Sequence, residues 1–375
     1  MSRFPIATSV LADAIQQHVF PGAAFGVLHA DERLTIESIG GFTYQRDSPR
    51  VQTDTIFDMA SVSKAMATTS MAMLLWERGR LDLDEPLGRR VPEFLGSGSQ
   101  AESPAALRLQ VTARMLLAHC SGLPAYAPLY KTYATAAEVL EACLLMPLET
   151  PPRTQAVYSD IGFILLGRLL EQIAGERLDS FCRREVFAPL GMSSTLYCPP
   201  AELKASIPPT ADKENFRGRI LQGEVHDGNC WRLDGVSGHA GLFSNVPDTL
   251  RLSDCLLHRG RNIFHPETIS KFTTRQQMPL SSGWALGWDT PTVPSSSGTL
   301  FSAHSVGHLG YTGTSLWIDF DKHVAIVLLT NRTYPMDEPA ASEIMKSVRP
   351  RFHDALMREL GWGATTNSSP AAGHE

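Results

Sequence analysis

Strand-like apolar segments occur at both ends of this chain and are almost absent from the stretch between them. Residues 23–29 and 34–39 read as a hairpin near the start, whereas 315–319 and 324–330 are strand-like near the end. Strands so far apart in sequence must pair with one another if they are to share a core. The sequence therefore predicts a sheet that both ends of the chain build.

The middle of the chain, from about residue 81 to 280, differs because prolines interrupt short segments of helical periodicity. This layout indicates an α/β (α+β) fold class, with a cleft between sheet and helices as the natural ligand site. We expect residues 1–80 and 281–362 to form an α/β sheet domain, 81–280 a mostly helical domain, and 363–375 a disordered tail. The predicted helices cover 61–78, 111–118, 135–146, 160–174, 178–187, 248–258 and 339–360, and 284–288 is a further predicted strand.

Composition excludes several classes of protein. With 43% hydrophobic and 19% charged residues, the chain has an ordinary globular composition. A net charge of −6 without any basic block argues against a nucleic-acid partner. No apolar run approaches the roughly 18–20 residues of a membrane span, so no membrane partner is expected.

The cysteines and the first residues of the chain indicate in which cellular compartment the protein is expected. The six cysteines are widely spaced without a Cys-x-x-Cys pair, which predicts neither a disulfide framework nor a metal site. The start of the chain lacks the apolar core of a signal peptide. We therefore expect a cytoplasmic protein, or a periplasmic one only if an export signal was removed. The sequence carries no indication of oligomeric state.

One Ser-x-x-Lys motif occurs in the chain, formed by Ser61 and Lys64 at the start of a predicted helix. Three residues apart on a helix, the hydroxyl and the amine share one face. Such an arrangement suits an amine that acts on the proton of a serine nucleophile, near the partial positive charge of a helix N-terminus. The alternative is a serine N-cap with a solvated lysine, but apolar residues at 57–60 and 65–67 favour burial.

Two further motifs carry possible chemistry. Tyr158 lies just before the helix predicted over 160–174. From there its phenol can project into a cleft and act as a general base if nearby cations lower its pKa. The alternative is a half-buried tyrosine with Asp160 as the helix N-cap. The glycine-rich segment 307–314 allows close backbone approach to a substrate, and the Tyr311 N–H could join that of Ser61 in an oxyanion hole. Its alternative is a plain glycine-rich hairpin.

In this order and spacing, the Ser-x-x-Lys, Tyr-Ser-Asp and His-x-Gly motifs resemble those of the serine β-lactamase and penicillin-binding-protein superfamily. The resemblance covers roughly residues 10–335 and includes 116–123, 225–227 and 238–244. It looks most like the class C β-lactamase-related branch, which contains family VIII carboxylesterases. It implies a β-lactamase/transpeptidase-like fold, in which an antiparallel sheet is flanked by helices. Neither a metal nor an organic cofactor is implied.

The resemblance also implies roles for individual residues. Ser61 would be the acylated nucleophile, Lys64 its amine partner and Tyr158 the general base. The N–H groups of Ser61 and Tyr311 would form the oxyanion hole. The implied substrate-binding positions are Tyr311, His308, Gly310 and Asp160.

This chain departs from the family pattern at two positions. Leu309 stands where a threonine or serine is usual, and His308 is only partly charged at neutral pH. Both changes weaken a carboxylate pocket and favour neutral esters. Asp160 replaces the more usual asparagine, and its carboxylate would raise the pKa of Lys64. Tyr158 is then the better candidate for proton abstraction, with Lys64 charged and lowering the phenol's pKa.

The predicted function is therefore a serine hydrolase of small-molecule carboxylic esters with short to medium acyl chains. A β-lactamase or D,D-carboxypeptidase remains an alternative, and weak β-lactamase side activity is compatible with the first prediction. A non-catalytic binding or sensing module is less favoured, because the serine, lysine and tyrosine are all present. No Gly-x-Ser-x-Gly occurs, which argues against an α/β-hydrolase. The aromatic residues that could wall an acyl pocket are Tyr126, Trp231, Trp284, Trp288 and Tyr311, although a core position is the favoured alternative for any one of them.

Overall fold

A five-stranded antiparallel sheet joins the two ends of the chain in the computed structural model, which describes residues 2–29, 33–96, 105–212 and 216–363. The strand order is β2-β1-β8-β7-β6, so β1, near the start, lies between β2 and β8, near the end. The predicted fold class is thereby confirmed. The strands are β1 Gly22–His29, β2 Arg33–Gly40, β3 Phe57–Asp58, β4 Leu196–Tyr197, β5 Leu242–Ser244, β6 Ser305–Leu309, β7 Ser315–Asp319 and β8 Val324–Thr330.

Helices supply the rest of the core. Most of those between β3 and β6 are short, in line with the frequent prolines of that region. The α-helices are α1 Pro5–Gln16, α2 Ser70–Glu77, α3 Leu87–Arg90, α4 Ala105–Arg108, α5 Ala113–Leu117, α6 Ala136–Leu145, α7 Asp160–Ala174, α8 Leu178–Cys182, α9 Ala201–Lys204, α10 Gly228–Arg232, α11 Val246–Leu257, α12 Pro266–Thr273 and α13 Pro339–Glu359. Among the described residues there are also two π-helical segments, Lys64–Thr69 and Arg183–Phe187, and two 3₁₀ turns, Pro92–Leu95 and Leu129–Lys131.

The large sheet is covered on both faces. On one face α1 and α13 pack together, and Phe352 of α13 meets Phe25 of β1 edge to face with ring centroids 5.3 Å apart. On the other face α11 lies across β1 and β8. Gly26 of β1 permits this approach, because a Cβ there would lie 2.4 Å from a methyl carbon of Val246. The strand order places β6 at one edge of the sheet, and the residue after β6, Gly310, lies against Met59 and Ala60, just before Ser61.

A small sheet of order β3-β5-β4 ties the early part of the chain to its middle. The chain leaves β3 at Asp58, and the Met59 N–H donates to the Leu242 carbonyl at 2.9 Å. The π-helical segment Lys64–Thr69 follows Ser61, is wholly buried, and runs directly into α2. The single helix predicted over 61–78 thus begins with a widened turn, and Gly79 ends it with a positive φ of 64°.

Three sequence predictions are not confirmed: one is wrong and two are not tested by the structure. The strand predicted over 284–288 is wrong: Trp284 and Asp289 form an isolated bridge around a tight turn in which Gly287 has a positive φ of 80°. Asp289 in turn bridges Gly307 of β6, so this hairpin extends the sheet edge. The predicted tail lies, apart from Gly363, outside the described residues, and the division into two domains stays a prediction. Across the described ranges, no helix is long and apolar enough to cross a membrane.

Candidate active site

Ser61 lies between β3 and the buried helix that starts with Lys64, at the end of a strained turn. Ala60 has a positive φ of 47°, which costs a non-glycine residue free energy. The Asp58 carboxylate holds this turn, because it accepts the Ala60 N–H at 2.8 Å and the His226 N–H at 2.7 Å. The side chain of Ser61 consequently faces the cleft, whose wall it helps to form.

Lys64 uses all three of its donors within the site. The buried Nζ donates to Ser61 Oγ at 3.0 Å, to Asp160 Oδ1 at 2.6 Å and to the carbonyl of His239 at 2.8 Å. Burial acts to lower the pKa of Lys64, but the Asp160 carboxylate and Tyr158 outweigh it, and the pKa lies above its ordinary value. Lys64 is therefore an ammonium ion, as the presence of Asp160 predicts.

Tyr158 reaches the same point from the start of α7. Its ring lies between Trp284, at 5.6 Å, and His119, at 4.7 Å, with Lys64 Nζ 4.9 Å from the ring centroid. The hydroxyl is buried within electrostatic reach of Lys64 and Ser61, yet it forms no hydrogen bond of ordinary geometry with any described residue.

The pKa of Tyr158 differs from the sequence prediction. Burial raises it to about 12, although the Lys64 ammonium opposes this shift. The predicted fall in the phenol's pKa is therefore wrong: the packed aromatic wall removes more solvation than one cation restores. At neutral pH Tyr158 is a phenol.

The N-cap of α7 is Ser159, and not Asp160 as the alternative interpretation of this segment had it. The Ser159 hydroxyl accepts the Gly162 N–H at 2.9 Å and donates to the Pro124 carbonyl, while the Ser159 N–H donates to His119 Nδ1 at 3.0 Å. Because Ser159 supplies the cap, Asp160 is left to bind Lys64.

The turn after β6 is tied to the segment before Ser61. Thr312 Oγ1 donates to the Asp58 carbonyl at 2.8 Å, and Thr314 Oγ1 donates to the Met59 carbonyl at 3.0 Å. Gly310 lies in close contact with the segment before Ser61, since a Cβ there would lie 2.5 Å from the Met59 carbonyl oxygen and 3.3 Å from Ala60 Cβ. This contact brings the Gly310–Tyr311 peptide beside the Ser61 turn.

His308 is an uncharged acceptor in this structure. Its Nδ1 donates to the Leu309 carbonyl at 2.8 Å, which leaves Nε2 without a proton. Burial and the Lys64 ammonium lower its pKa to about 3. The partial charge predicted for His308 at neutral pH is therefore absent.

Asp227 and His239 hold the backbone carbonyl that accepts a hydrogen bond from Lys64. Asp227 caps α10 by accepting the Cys230 N–H at 2.7 Å, and it is 2.8 Å from Nε2 of His239. Burial acts to raise the pKa of Asp227, but His239 and the cap bond outweigh it, so the carboxyl is ionised. The ring of His239 is thereby fixed, which orients the backbone carbonyl that accepts from Lys64.

These side chains meet at a cleft of about 510 Å³. The structure brings together all the predicted site residues here: Ser61, Tyr158, Asp160, His308, Gly310 and Tyr311 line the cleft, and Lys64 lies directly beneath it. Of the predicted aromatic wall, Tyr126, Trp284 and Tyr311 line it, whereas Trp231 and Trp288 do not.

Sequence reasoning missed three lining residues: His226, Asp289 and Arg349. His226 lies in the segment 225–227 that the family resemblance covers, and this position could have identified it. Asp289 directly follows the segment 284–288 that was predicted to be a strand, and no motif singled it out. Arg349 belongs to a helical pattern with exposed charged residues on both sides, from which its burial cannot be distinguished.

Comparisons with known proteins agree with this geometry. The beta-lactamase family model matches residues 7–348. The chain is 32% identical over 319 residues to the Escherichia coli K12 protein named "Putative D-alanyl-D-alanine carboxypeptidase", covering 77% of this chain and 72% of that one. It is 33% identical over 358 residues to the "N-acetylmuramyl-L-alanine amidase" of Bacillus subtilis strain 168, covering 85% and 79%.

A solved structure shares the fold. It is named "EstCE1, a hydrolase with promiscuous acyltransferase activity", and it superposes with a TM-score of 0.72 at 21% identity over 93% of this chain and 98% of that one. At this identity the likeness shows the architecture alone. The match of the family model over nearly the whole chain, together with the two relatives, shows that this chain belongs to the beta-lactamase family of serine hydrolases.

Proposed function

We propose that this protein hydrolyses carboxylic esters of short to medium acyl chain through an acyl-enzyme on Ser61. The observation that carries the proposal is the 3.0 Å bond from the Lys64 ammonium to Ser61 Oγ at the wall of the cleft, with the buried Tyr158 hydroxyl close to both. The proposed nucleophile Ser61, the cation Lys64 and the proton acceptor Tyr158 are then close to one another at the cleft.

The proposed acylation step follows from these positions. Ser61 Oγ attacks the ester carbonyl carbon while its proton passes to the Tyr158 oxygen in the phenolate form, whose charge the Lys64 ammonium stabilises. The N–H groups of Ser61 and Tyr311 bind the developing oxyanion. The bond to the leaving alkoxide then breaks, and Tyr158 donates its proton to that oxygen. Water reverses the sequence and releases the acid.

The preference for neutral esters rests on the wall around His308. A carboxylate on the substrate would need an available cation there, whereas His308 is neutral and presents a bare Nε2. The Arg349 guanidinium in the same wall is bonded to the Gly310 and Thr314 carbonyls. Leu309 offers no hydroxyl. Trp284, Tyr126 and Tyr311 add aromatic surface for an acyl chain.

A second candidate is hydrolysis of cell-wall peptides or β-lactams. The names of the Escherichia coli and Bacillus subtilis relatives favour it, because both describe amide-cleaving enzymes. It uses the same nucleophile, so only the substrate distinguishes it from the first candidate.

One substrate panel tests both candidates. We expect p-nitrophenyl butyrate to be turned over with a burst and an acyl adduct on Ser61 detectable by intact mass. A chromogenic cephalosporin and a D-Ala-D-Ala peptide should react far more slowly. Ser61→Ala should abolish turnover, while Ser206→Ala, which changes an exposed serine, should not. Faster cleavage of the peptide or the cephalosporin than of the ester would overturn the proposal in favour of the second candidate.

A further inference from the structure

Arg349 is a buried cation that binds backbone carbonyls in the wall of the cleft. Its side chain comes from α13, and the residue is only 8% exposed. Its Nη2 donates to the Gly310 carbonyl at 2.6 Å and to the Thr314 carbonyl at 3.0 Å. No carboxylate of the described residues forms an ion pair with it. Burial and the neighbouring Arg332 lower its pKa to about 9. A guanidinium kept here without a counter-ion needs another reason for its position.

The Gly310 carbonyl belongs to the peptide unit that also contains the Tyr311 N–H. In a planar trans peptide the C=O and N–H point in opposite directions, so a fixed carbonyl fixes the N–H. Glycine leaves this plane unusually free to rotate. The Gly313 N–H also donates to the same carbonyl at 3.0 Å, so the turn itself supplies only one of the two restraints.

Because Gly310 lies against Met59 and Ala60, this peptide is beside the nucleophile turn. We propose that Arg349 is a positioning residue of the oxyanion hole: by holding the Gly310 carbonyl, it directs the Tyr311 N–H towards the carbonyl oxygen of a substrate at Ser61. The cation also polarises the amide, which makes its N–H a stronger donor. This inference rests on the proposed acyl-enzyme chemistry, and it adds a residue that does not itself touch the reacting atoms.

Two other buried arginines also bind backbone carbonyls, but neither of them binds the carbonyl of Gly310. Arg332 donates to the Tyr311 carbonyl through Nε at 2.9 Å and Nη2 at 2.7 Å, but that carbonyl belongs to the next peptide unit. Arg108, 1% exposed, donates to the Phe94 carbonyl at 2.6 Å and to the Met146 carbonyl at 2.8 Å, away from the cleft. Arg108 therefore provides a matched control for the loss of a buried guanidinium.

The test is the rate at which a p-nitrophenyl alkylphosphonate labels Ser61, because its P=O must enter the oxyanion hole. We expect Arg349→Met to slow labelling by about 100-fold, the effect of losing an oxyanion donor. The kcat for p-nitrophenyl butyrate should fall in parallel, with KM little changed. Arg349→Lys, which keeps one donor, should recover part of the rate. Arg108→Met should lower the melting temperature and leave the labelling rate of the folded protein unchanged.

Two results would overturn the inference. One is labelling of Arg349→Met and Arg349→Lys at the wild-type rate. The other is a change confined to KM for carboxylate-bearing substrates, which would make Arg349 a direct substrate ligand. If wild-type Ser61 is never labelled, the proposed function fails, and the inference is then decided by NMR. In ¹⁵N-labelled Ser61→Ala protein, the Tyr311 amide resonance should move on Arg349→Lys substitution, and an unmoved resonance would refute the role.

Discussion

At the scale of single residues, the groups nearest Ser61 Oγ combine one ion pair with two uncharged side chains. Lys64 and Asp160 carry opposite charges 2.6 Å apart, whereas Tyr158 and His308 are uncharged at neutral pH. The base needed for acylation is thus a minor form of Tyr158, and Lys64 is the cation that makes that form accessible. Removal of the Ser61 proton, more than the position of the nucleophile, limits the proposed reaction at neutral pH.

The pH dependence of turnover should show this directly. Because burial raises the Tyr158 pKa to about 12, the phenolate fraction grows with pH throughout the accessible range. We expect kcat/KM for a neutral ester to rise about tenfold per pH unit from pH 6 to beyond pH 9. His308, with a pKa of about 3, adds no inflection there. Tyr158→Phe should remove the rise, and a plateau already at pH 7 in the wild type would contradict the assignment.

Asp160→Asn should move this profile. The Asp160 carboxylate raises the pKa of both Lys64 and Tyr158. Removing its charge lowers both, so the rise in kcat/KM should shift towards lower pH by about one unit. The isosteric amide can still accept from Lys64 and should preserve the fold. A profile measured from pH 6 to 10 beside the wild type checks the shift, and a shift towards higher pH would contradict it.

The sequence was sufficient to identify residues that the structure brings together at the cleft, because their order and spacing along the chain resemble a known pattern. It could not give the direction of the Tyr158 pKa shift. That direction depends on how tightly Trp284 and His119 enclose the ring, and these residues lie far from Tyr158 in sequence. Arg349 was not identified as a cleft residue for a similar reason, since helical periodicity does not reveal the hydrogen-bond partners of a long side chain.

At the scale of elements, the turn after β6 is as important as the nucleophile helix. Thr312 and Thr314 tie this turn to the chain before Ser61, and Gly310 lies in the contact. The two halves of the proposed oxyanion hole, which are over 200 residues apart in sequence, are thereby fixed to each other.

Gly310→Ala should separate these halves. A Cβ at this position would lie 2.0 Å from Thr314 Oγ1 and 2.5 Å from the Met59 carbonyl oxygen, so the turn must shift. We expect kcat for the ester to fall by about 100-fold, as for other small misplacements of catalytic groups. Gly79→Ala is the control, because a Cβ there has no atom within 4 Å, although its positive φ should cost about 1 kcal/mol of stability. Wild-type kcat in Gly310→Ala would show that the turn tolerates displacement.

Elements with strong local signals were predicted well. The strands at 315–319 and 324–330 have the predicted bounds, since their apolar runs are buried on both faces of the sheet. The segment 284–288 looked equally strand-like, but Gly287 turns it back on itself. A turn that depends on one glycine within an aromatic-rich run gives no clear signal in sequence.

At the scale of the whole molecule, the last turn of α13 closes onto the first turn of α1. The Glu359 carboxylate accepts the Ile6 N–H at 2.9 Å and the Ala7 N–H at 3.0 Å, which satisfies two otherwise open donors at a helix N-terminus. We expect Glu359→Ala to cost about 1 kcal/mol of unfolding free energy in urea, without change in kcat. Glu343→Ala, which removes an exposed carboxylate from the same helix, should cost less. Equal losses in the two variants would argue against this cap.

β1 pairs with β8 in the folded protein, but β8 is translated much later. During synthesis the apolar strand β1 therefore lacks one of its two neighbours in the sheet. When Gly22–His29 leaves the ribosome, about 300 further residues must be translated before Val324–Thr330 follows, which takes roughly 15–60 s. Throughout that interval the inner edge of the nascent hairpin presents open backbone donors and acceptors to any other extended chain. Translation speed and chaperone supply, more than the stability of the finished enzyme, should therefore govern how much of this protein a cell recovers in native form.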